Sequence, residues 1–314
     1  MTLPTPPSPT PAPQHCGARV FKQTFTGSLG ERALYIYLPP DYFEPHAADT
    51  RYPILYLHDG QNCFETFSED AFSGSWRADE TAERLIHEGQ MRPAILVGVS
   101  NGGAARLAEY LPPYSRFATA PSRRYRHRLR RRRRVAYLWG QAHRTFAFYE
   151  EVHAYMCEHF RVRGGREHVA TCGSSMGGLF SAYIAFEHPA FARHHAILSA
   201  SFWVTETAAG ELEMLTRLRE APVHDLRVWL DSGEGEGDSD DNKWVTLAAR
   251  QALLDAGYTE GQEFVYHLAE GATHSEAAWA ARLPQVLSYL FPPEPAPCDA
   301  AEGDAATVLV GDAP

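Results

Sequence analysis

The sequence predicts an α/β domain with a mostly parallel central sheet and helices on both of its faces. Through most of the 314-residue chain, short apolar runs alternate with longer runs of helical periodicity. Several short runs are almost continuously apolar, which is typical of strands covered on both faces. Near the start, two segments of alternating polarity are joined by Gly27-Ser28-Leu29-Gly30, which predicts an antiparallel N-terminal hairpin.

The first half of the predicted domain contributes the hairpin and two central strands. Residues 19–26 and 33–38 alternate polar and apolar positions, as half-buried hairpin strands do. The apolar runs 52–57 (YPILYL) and 94–99 (AILVGV) predict buried strands. A helical period over 75–88, which begins at a serine, predicts the helix between them.

The second half repeats the alternation more regularly, and Gly257 and Pro292-Pro293 mark the ends of two of its helices. This order predicts parallel strands joined by helices that cover the sheet. The predicted elements are, in chain order, helix 142–160, strand 168–172, helix 178–187, strand 196–199, helix 210–219, strand 226–231, helix 243–256, strand 263–269 and helix 275–291.

The two ends of the chain differ in composition from this region. Residues 1–18 are rich in proline, and residues 292–314 are rich in proline, alanine and acidic residues. Both segments are therefore predicted to be disordered tails. Residues 19–291 are predicted to form one domain, because a chain that is 44% hydrophobic can bury a core.

Composition and charge argue against several classes of protein. No apolar run reaches the roughly 18–20 residues of a membrane span, and the N-terminal region resembles no signal peptide. Five scattered cysteines without a C-x-x-C pair argue against a disulfide framework or a zinc site. A net charge of −10 disfavours nucleic acid as a partner. We therefore predict a cytoplasmic protein that uses no metal or cofactor, and its oligomeric state is left open.

The most specific local pattern is Gly173-Ser174-Ser175-Met176-Gly177, which matches G-x-S-x-G with Ser175 at its centre. A strand that turns at once into a helix strains its central residue, and side chains two places away on either side would collide. An apolar strand (HVATC) precedes the pattern and a helix (GLFSAYIAFEH) follows it. This context predicts that Ser175 is a nucleophile, and a plain Gly/Ser turn is the alternative.

A serine nucleophile needs a base, and the base needs an acid to orient it. His274 lies in a loop between the last predicted strand and the last helix, whereas His267 lies within that strand, so His274 is the predicted base. A Gly-rich loop with several carboxylates follows strand 226–231. Glu236 has better reach across this loop than Asp231, so Glu236 is the predicted acid and Asp231 the alternative.

The same chemistry requires two amides that bind the developing oxyanion. The residue after the nucleophile, Met176, supplies the first. The loop after strand 52–57 reads HDGQN, and its glycine allows the backbone to approach the reacting carbonyl. The second amide is therefore assigned to Gln61, with Gly60 as the next candidate.

With these residues in place, the sequence resembles the esterase D and enterochelin-esterase-like group of α/β-hydrolases. The resemblance spans nearly all of 31–291 and rests on the combination of HDGQN, GSSMGG and H-x-E-x-x-W. It implies the α/β-hydrolase fold and a metal-free serine hydrolase that acts on esters. Some relatives have their acid where Glu236 falls, while others use a Ser/His dyad.

The resemblance also suggests residues that local patterns do not indicate. It implies that Asn101, Arg106 and Glu109 lie near the mouth of the site, and that Trp203 and Trp279 line or brace it. Ordinary packing is the alternative for both tryptophans. We predict that Asn101, Arg106 and Trp203 bind substrate.

One segment departs from the family pattern and from the acidic balance of the chain. Nine arginines lie among the twelve residues 123–134, and guanidinium groups that repel one another are not buried together. The segment from about residue 120 to residue 141 is therefore predicted to be an exposed insertion. Three interpretations compete: a solvated insertion, an anion-binding lid over the active site, or a local reading-frame error.

The predicted function is that of a serine carboxylic-ester hydrolase that works through an acyl-enzyme. The substrate would be a small-molecule ester, for which siderophore, thioester and small acyl ester are the candidates. An acyltransferase with the same Ser/His site is the alternative. A nucleic-acid-binding protein that uses the arginine run is a weaker one, because the rest of the chain is acidic and the run holds a single aromatic residue, Tyr125.

Overall fold

Ten strands form two sheets in the described part of the chain. The computed structural model describes residue 17 and residues 19–119, 136–235 and 240–293. The strands are β1 (Val20–Gly27), β2 (Gly30–Tyr37), β3 (Ile54–His58), β4 (Ile95–Val99), β5 (Arg116–Thr119), β6 (Ala136–Trp139), β7 (Val169–Ser174), β8 (His194–Leu198), β9 (Arg227–Glu234) and β10 (Phe264–Glu270).

The main sheet has eight strands in the order β1-β2-β4-β3-β7-β8-β9-β10. β1 and β2 form an antiparallel hairpin closed by Ser28 and Leu29, and β2 is antiparallel to β4. The strands from β4 to β10 in this order all run parallel to their neighbours. The predicted α/β architecture, with a mostly parallel sheet and an antiparallel N-terminal hairpin, is confirmed.

Helices cover both faces of this sheet. One face carries α1 (Ala78–His87) and α7 (Glu276–Leu290), which pack against each other. The other face carries α2 (Arg106–Tyr110), α3 (Ala142–His159), α4 (Met176–Glu187), α5 (Glu213–Glu220) and α6 (Lys243–Ala256).

The two faces hold separate cores, and the alternation of side chains along each strand explains why. Ile54 and Tyr56 of β3 pack into the core beneath α3 and α4, whereas Leu55 and Leu57 pack into the core beneath α1 and α7. Both sets are fully buried. A strand with apolar residues on both faces reads as a continuous apolar run, and the sequence shows such a run here.

β9 runs to Glu234, further than the predicted end at residue 231. Asp231 therefore lies inside a strand, where it is paired in register with His267 of β10. Its carboxylate accepts hydrogen bonds from Trp229 Nε1 (2.9 Å) and Arg282 Nη2 (3.1 Å). These partners allow an acidic residue to occupy a central strand, and the strand continues through a segment that looks like a loop in sequence.

The second sheet was not predicted. β5 and β6 pair antiparallel, with Arg116 opposite Trp139. The Arg116 guanidinium lies 4.2 Å from the ring centre of Tyr137 and 5.4 Å from that of Trp139, as in a cation–π contact. The predicted insertion of about 120–141 thus ends in a strand. Residues 120–135, which hold the arginine run, lie outside the described residues, so the interpretations of that run remain predictions.

Two further predictions concern the boundaries and surroundings of the domain. The predicted tails lie almost wholly outside the described residues, so the division of the chain into tails and one domain remains a prediction. Across the described ranges, every helix is too short or too polar to cross a bilayer. The described cysteines are free thiols, with Cys63 and Cys172 buried and Cys157 exposed.

Candidate active site

Ser175 occupies the sharp turn between β7 and α4. Its backbone has the strained conformation that the flanking glycines predict. Its φ of 57° and ψ of −119° lie in a region that residues with a side chain rarely adopt. The Ser175 amide donates to Leu198 O (2.9 Å), which ties the turn to the neighbouring strand β8. The backbone around this turn is therefore held by the sheet on one side and by the helix on the other.

Gly173 is required at this turn because the chain approaches itself closely. A Cβ atom at this position would lie 2.7 Å from Gly177 C and 2.7 Å from His58 Cδ2. These distances are shorter than real Cβ contacts, and the nearest atoms belong to backbone and to a buried ring. The steric argument for the G-x-S-x-G pattern therefore has a physical basis in this fold.

This close approach leads to a prediction about stability. We expect Gly173→Ala to lower the free energy of unfolding by about 2–4 kcal/mol, because the backbone of the turn must shift. Gly164→Ala is the matched control, since a Cβ there has no atom within 4 Å and the backbone has no positive φ. Urea unfolding of both variants measures the difference, and equal effects would contradict the steric account.

Ser175 and His274 line the same cleft, which has a volume of about 470 Å³. Three other predicted residues, Gln61, Asn101 and Arg106, also line it. Trp279 and residues to which the sequence analysis assigned no role form the remaining wall of the cleft: Asp59, Asn62, Phe72, Trp76, Gly103, Ser174 and Glu276. The fold thus gathers most of the predicted site residues at the carboxyl ends of the parallel strands.

The carboxylate that holds His274 is Asp241. His274 Nδ1 lies 2.6 Å from Asp241 Oδ1, and the Asp241 side chain is fully buried. Glu236, the predicted acid, lies outside the described residues. Asp231, the alternative acid, is bonded to Trp229 and Arg282 instead of to His274. The sequence-based choice between Glu236 and Asp231 therefore did not consider Asp241, the carboxylate that lies on the imidazole among the described residues.

A signal for Asp241 exists in the sequence but is weak. Asp241 and Asn242 directly precede α6, and both have positive φ, at 47° and 61°. Aspartate and asparagine tolerate this conformation better than most residues, so a turn before the helix was foreseeable. The direction in which that turn aims the Asp241 carboxylate depends on the path of the whole loop, which no local pattern gives.

His267, the rejected base, lies within β10 as predicted. Its ring packs on Trp229, with ring centres 5.4 Å apart, and it does not line the cleft. His274 instead follows the strand in a short loop, and its ring meets the edge of Trp279 at 4.9 Å. The carboxylate and the tryptophan together fix the imidazole, so that Nε2 is the nitrogen left for proton transfer.

The hydroxyl of Ser175, the predicted nucleophile, contacts a neighbouring serine. Ser175 Oγ lies 3.2 Å from Ser201 Oγ, and the Ser201 amide donates to Ser175 O (3.0 Å). Among the described hydrogen bonds, none joins Ser175 to His274. Catalytic hydrogen bonds are often loose without substrate, and Ser175 and His274 line the same cleft.

The predicted oxyanion donors lie where helical geometry leaves amides unpaired. Met176 is the first residue of α4, and Gln61 lies in the single helical turn Gly60–Asn62 that follows β3. Amides in a first turn have no acceptor within their own helix. The Gln61 side chain accepts a hydrogen bond from the Asn101 amide (3.3 Å), which ties this turn to the loop after β4.

Asn101 and Arg106 are both bound to Asp59, a residue that the sequence analysis did not single out. Arg106 holds the Asp59 carboxylate with two hydrogen bonds of 2.7 Å, and Asn101 Nδ2 adds a third at 2.5 Å. Burial lowers the pKa of Arg106, but the hydrogen bonds and charge of Asp59 outweigh it and raise the pKa above its ordinary value. The guanidinium is therefore part of a fixed, charge-neutral wall.

The predicted role of Trp203 has no support in the cleft geometry. Trp203 is not among the described residues that line the cleft; its ring is about half exposed and lies 6.1 Å from that of Phe117. Glu109 is also outside the cleft, where its carboxylate holds Arg32 and the Gly102 amide. Trp279 does line the cleft, as the resemblance suggested.

His58 is buried beneath the turn at Ser175, hereafter the elbow, and does not line the cleft. Burial lowers the pKa of His58 to about 3, so its imidazole is neutral near neutral pH. Its Nδ1 lies 2.8 Å from the Tyr149 hydroxyl. Within the described ranges, His, Cys, Asp and Glu side chains form no group of three or more that could hold a metal ion.

The sheet order and the elbow at the end of β7 define an α/β-hydrolase. The chain belongs to the esterase family described as "Putative esterase", whose pattern matches residues 28–290. Its members are carboxylic ester hydrolases, and the predicted family and enzyme class are confirmed. A search of the curated proteins found no sequence that matches this chain.

Solved structures with the same fold are similar to this chain at low identity. An IroE-like serine hydrolase from Shewanella oneidensis is 18% identical with a TM-score of 0.66, over 87% of this chain and 80% of that one. A CE1 ferulic acid esterase from Anaeromyces mucronatus is 20% identical with a TM-score of 0.57, over 86% and 88% of the two chains. The enterobactin esterase FES from Shigella flexneri is 17% identical with a TM-score of 0.61; the match covers 90% of this chain and 60% of that one.

Proposed function

We propose that this esterase hydrolyses carboxylic esters through an acyl-enzyme on Ser175. One observation carries the proposal: Ser175, in its strained turn, and His274, bound to a carboxylate, line one cleft. The two residues lie far apart in the sequence. Ser175 Oγ attacks the carbonyl carbon while His274 Nε2 takes its proton. The ester C–O bond then breaks, and His274 returns the proton to the departing alcohol.

Water completes the cycle by the same route in reverse. His274 takes a proton from the water as its oxygen attacks the acyl carbon, and Ser175 leaves with that proton. In both steps the negative charge on the carbonyl oxygen is bound by the amides of Met176 and Gln61, each worth roughly a hundred- to a thousand-fold in rate. Asp241 stabilises the imidazolium and keeps the ring in the productive tautomer.

The wall of the cleft favours an ester with a flat apolar group. Phe72, Trp76 and Trp279 line it, and the only charges near them are the Asp59–Arg106 ion pair and Glu276, among the residues that the structure describes. The FES structure was determined in the presence of 2,3-dihydroxy-N-benzoyl-glycine, and the fungal neighbour is a ferulic acid esterase. We therefore place an aromatic ester, such as that of an aryl siderophore, ahead of thioesters and short acyl esters.

A covalent label tests the nucleophile directly. A fluorophosphonate probe should attach to Ser175, identified by peptide mass mapping, and should abolish hydrolysis of p-nitrophenyl benzoate. The benzoate should be hydrolysed with a higher kcat/KM than p-nitrophenyl acetate if the aromatic wall binds the acyl group. Label on Ser174 or another residue, or a folded protein without label or turnover, would defeat the proposal.

A further inference from the structure

A second charged group lies directly behind the His274–Asp241 pair. It consists of Asp231 on β9 and Arg282 on α7, joined by a hydrogen bond of 3.1 Å. Asp231 is fully buried and the Arg282 side chain is only 4% exposed. Arg282 Nη2 also lies 3.6 Å from Asp241 Oδ2, so one guanidinium faces two buried carboxylates. These side chains are buried, and the electrostatic interactions between them are therefore weakly screened.

Ser199 links this buried pair to the catalytic acid. Its Oγ lies 3.0 Å from Arg282 Nη2, 3.1 Å from Trp279 Nε1 and 2.7 Å from Asp241 Oδ2. Guanidinium and indole nitrogens can only donate, so both lone pairs of the hydroxyl are used as acceptors. The single Ser199 proton must then point to Asp241.

The direction of that proton makes Asp241 Oδ2 a hydrogen-bond acceptor. Its Oδ2 accepts from Ser199 and from the Gly233 amide, and its Oδ1 lies against His274 Nδ1. Two donors occupy Oδ2, so the Asp241 carboxylate presents Oδ1 to His274 as an acceptor. His274 must therefore donate from Nδ1, which leaves Nε2 as the base. Arg282 and Trp279 orient the Ser199 hydroxyl, Ser199 donates to Asp241, and Asp241 in turn selects the tautomer of the imidazole.

The glycine at the end of β9 makes this arrangement possible. A Cβ at Gly233 would collide with Ala272 O in the loop that carries His274 (the histidine loop), and it would lie 2.7 Å from Asp241 Oδ2. Without a side chain there, the strand, the histidine loop and the acid approach one another closely enough for the Gly233 amide to reach Asp241. The close approach also excludes solvent from the contact.

We propose that Asp231 and Arg282 are positioning residues that set the net charge behind Asp241 and thereby tune His274. The proposal rests on the proposed function of the site. Near neutral pH the buried group carries two negative charges and one positive charge, so it stabilises the imidazolium by one net charge. Burial raises the pKa of Asp231, and Asp241 acts in the same direction, whereas Arg282 and the Trp229 hydrogen bond lower it. Arg282 thus opposes the effect of burial on Asp231, whose pKa still lies above its ordinary value.

The two residues act on His274 with opposite sign. Loss of the Arg282 charge leaves more negative charge behind the imidazole, so protonation of His274 becomes easier. Loss of the Asp231 charge has the reverse effect. The other charged groups around this loop are the same in every variant compared: Glu276 on α7, the Asp59–Arg106 pair across the cleft, and the Glu234–Lys243 pair at the ends of β9 and α6.

Three variants of the full-length protein test this pair. In NMR titrations with ¹³C-labelled histidine, Arg282→Gln should raise the protonation midpoint of His274 by about one pH unit, and Asp231→Asn should lower it by about as much. The double variant should return it close to the unchanged value. The His274 signal is assigned by its loss in His274→Gln. The acid limb of kcat/KM should move with the midpoint.

A merely structural role would lower activity or stability without moving the midpoint in opposite directions. Arg219→Gln, which removes an exposed guanidinium paired with Asp255, is the control and should leave the midpoint unchanged. Arg282→Lys should retain the midpoint. If Arg282→Gln does not fold, the fall in the midpoint in Asp231→Asn and its reversal in the double variant carry the test. Shifts of the same sign, or none in folded variants, would overturn the proposal.

The titration separates this proposal from the proposed function. The midpoint of His274 is measured without substrate, so opposite shifts in a protein that hydrolyses no ester would support the charge arrangement and defeat the acyl-enzyme. Turnover with unmoved midpoints would do the reverse.

Discussion

Replacing Ser175 with alanine is expected to lower kcat/KM for p-nitrophenyl benzoate by at least about ten-thousand-fold. In the proposed mechanism the Ser175 hydroxyl oxygen forms the acyl bond, and alanine has no atom that can form it. The residual rate would reflect the oxyanion amides and the cleft, which still bind the ester. Steady-state kinetics with a purified, freshly folded variant measure the loss.

Ser181→Ala is the matched control for this substitution. Ser181 lies on α4, the helix that Ser175 precedes, and its buried hydroxyl has no hydrogen-bond partner among the described residues. The variant removes a serine hydroxyl within the helix that Ser175 precedes, and it should retain activity within about tenfold, since it touches no reacting group. A Ser175→Ala protein that folds and keeps more than a hundredth of the activity would show that Ser175 is not the nucleophile.

The sheet and the elbow could be predicted because their causes are local. An apolar run such as 52–57 marks a strand buried on both faces, and the structure puts its alternate side chains into two separate cores. The glycines of G-x-S-x-G are needed by atoms within a few residues of Ser175, together with His58. Such patterns can be recognised without knowledge of what lies on the other side of the sheet.

The contact between Asp241 and His274 could not be predicted, because its cause is not local. Several carboxylates follow β9, and the choice among them depends on the path by which the chain returns to α6. Asp231 appears available at a strand end, but Arg282 and Trp229 hold it inside β9. The ion pair between Asp59 and Arg106 was missed for the same reason, since a sequence does not show which distant charges meet.

The aromatic residues show the same limit. Trp279 lies on α7 one turn after the histidine loop, so the helix itself carries it to the cleft. Trp203 also follows a parallel strand, but its ring packs near Phe117 of β5, a strand of the second sheet. That sheet flanks the arginine-rich segment, and the composition of the segment masked the pairing of its ends.

Replacing Asp241 with asparagine is expected to lower kcat by about ten-thousand-fold while the protein stays folded. An amide can present one oxygen and one NH₂ group, whereas Asp241 accepts from donors at both oxygens, His274 at one and Ser199 and Gly233 at the other. Either orientation sets an NH₂ group against a donor. If the NH₂ group faces His274, the imidazole takes the other tautomer, and Nε2 then carries a proton where a base is needed.

Two companion variants separate Asp241 from the other acids of its loop. Glu236→Gln removes the carboxylate that the sequence favoured, and Asp240→Asn removes an exposed neighbour whose Oδ1 accepts from the Asn242 amide (3.1 Å). Both should stay within about tenfold of the unchanged enzyme, and urea unfolding should show the three variants to be folded. If Glu236→Gln loses activity while Asp241→Asn keeps it, the imidazole is oriented by Glu236 during turnover, and the contact between Asp241 and His274 is only structural.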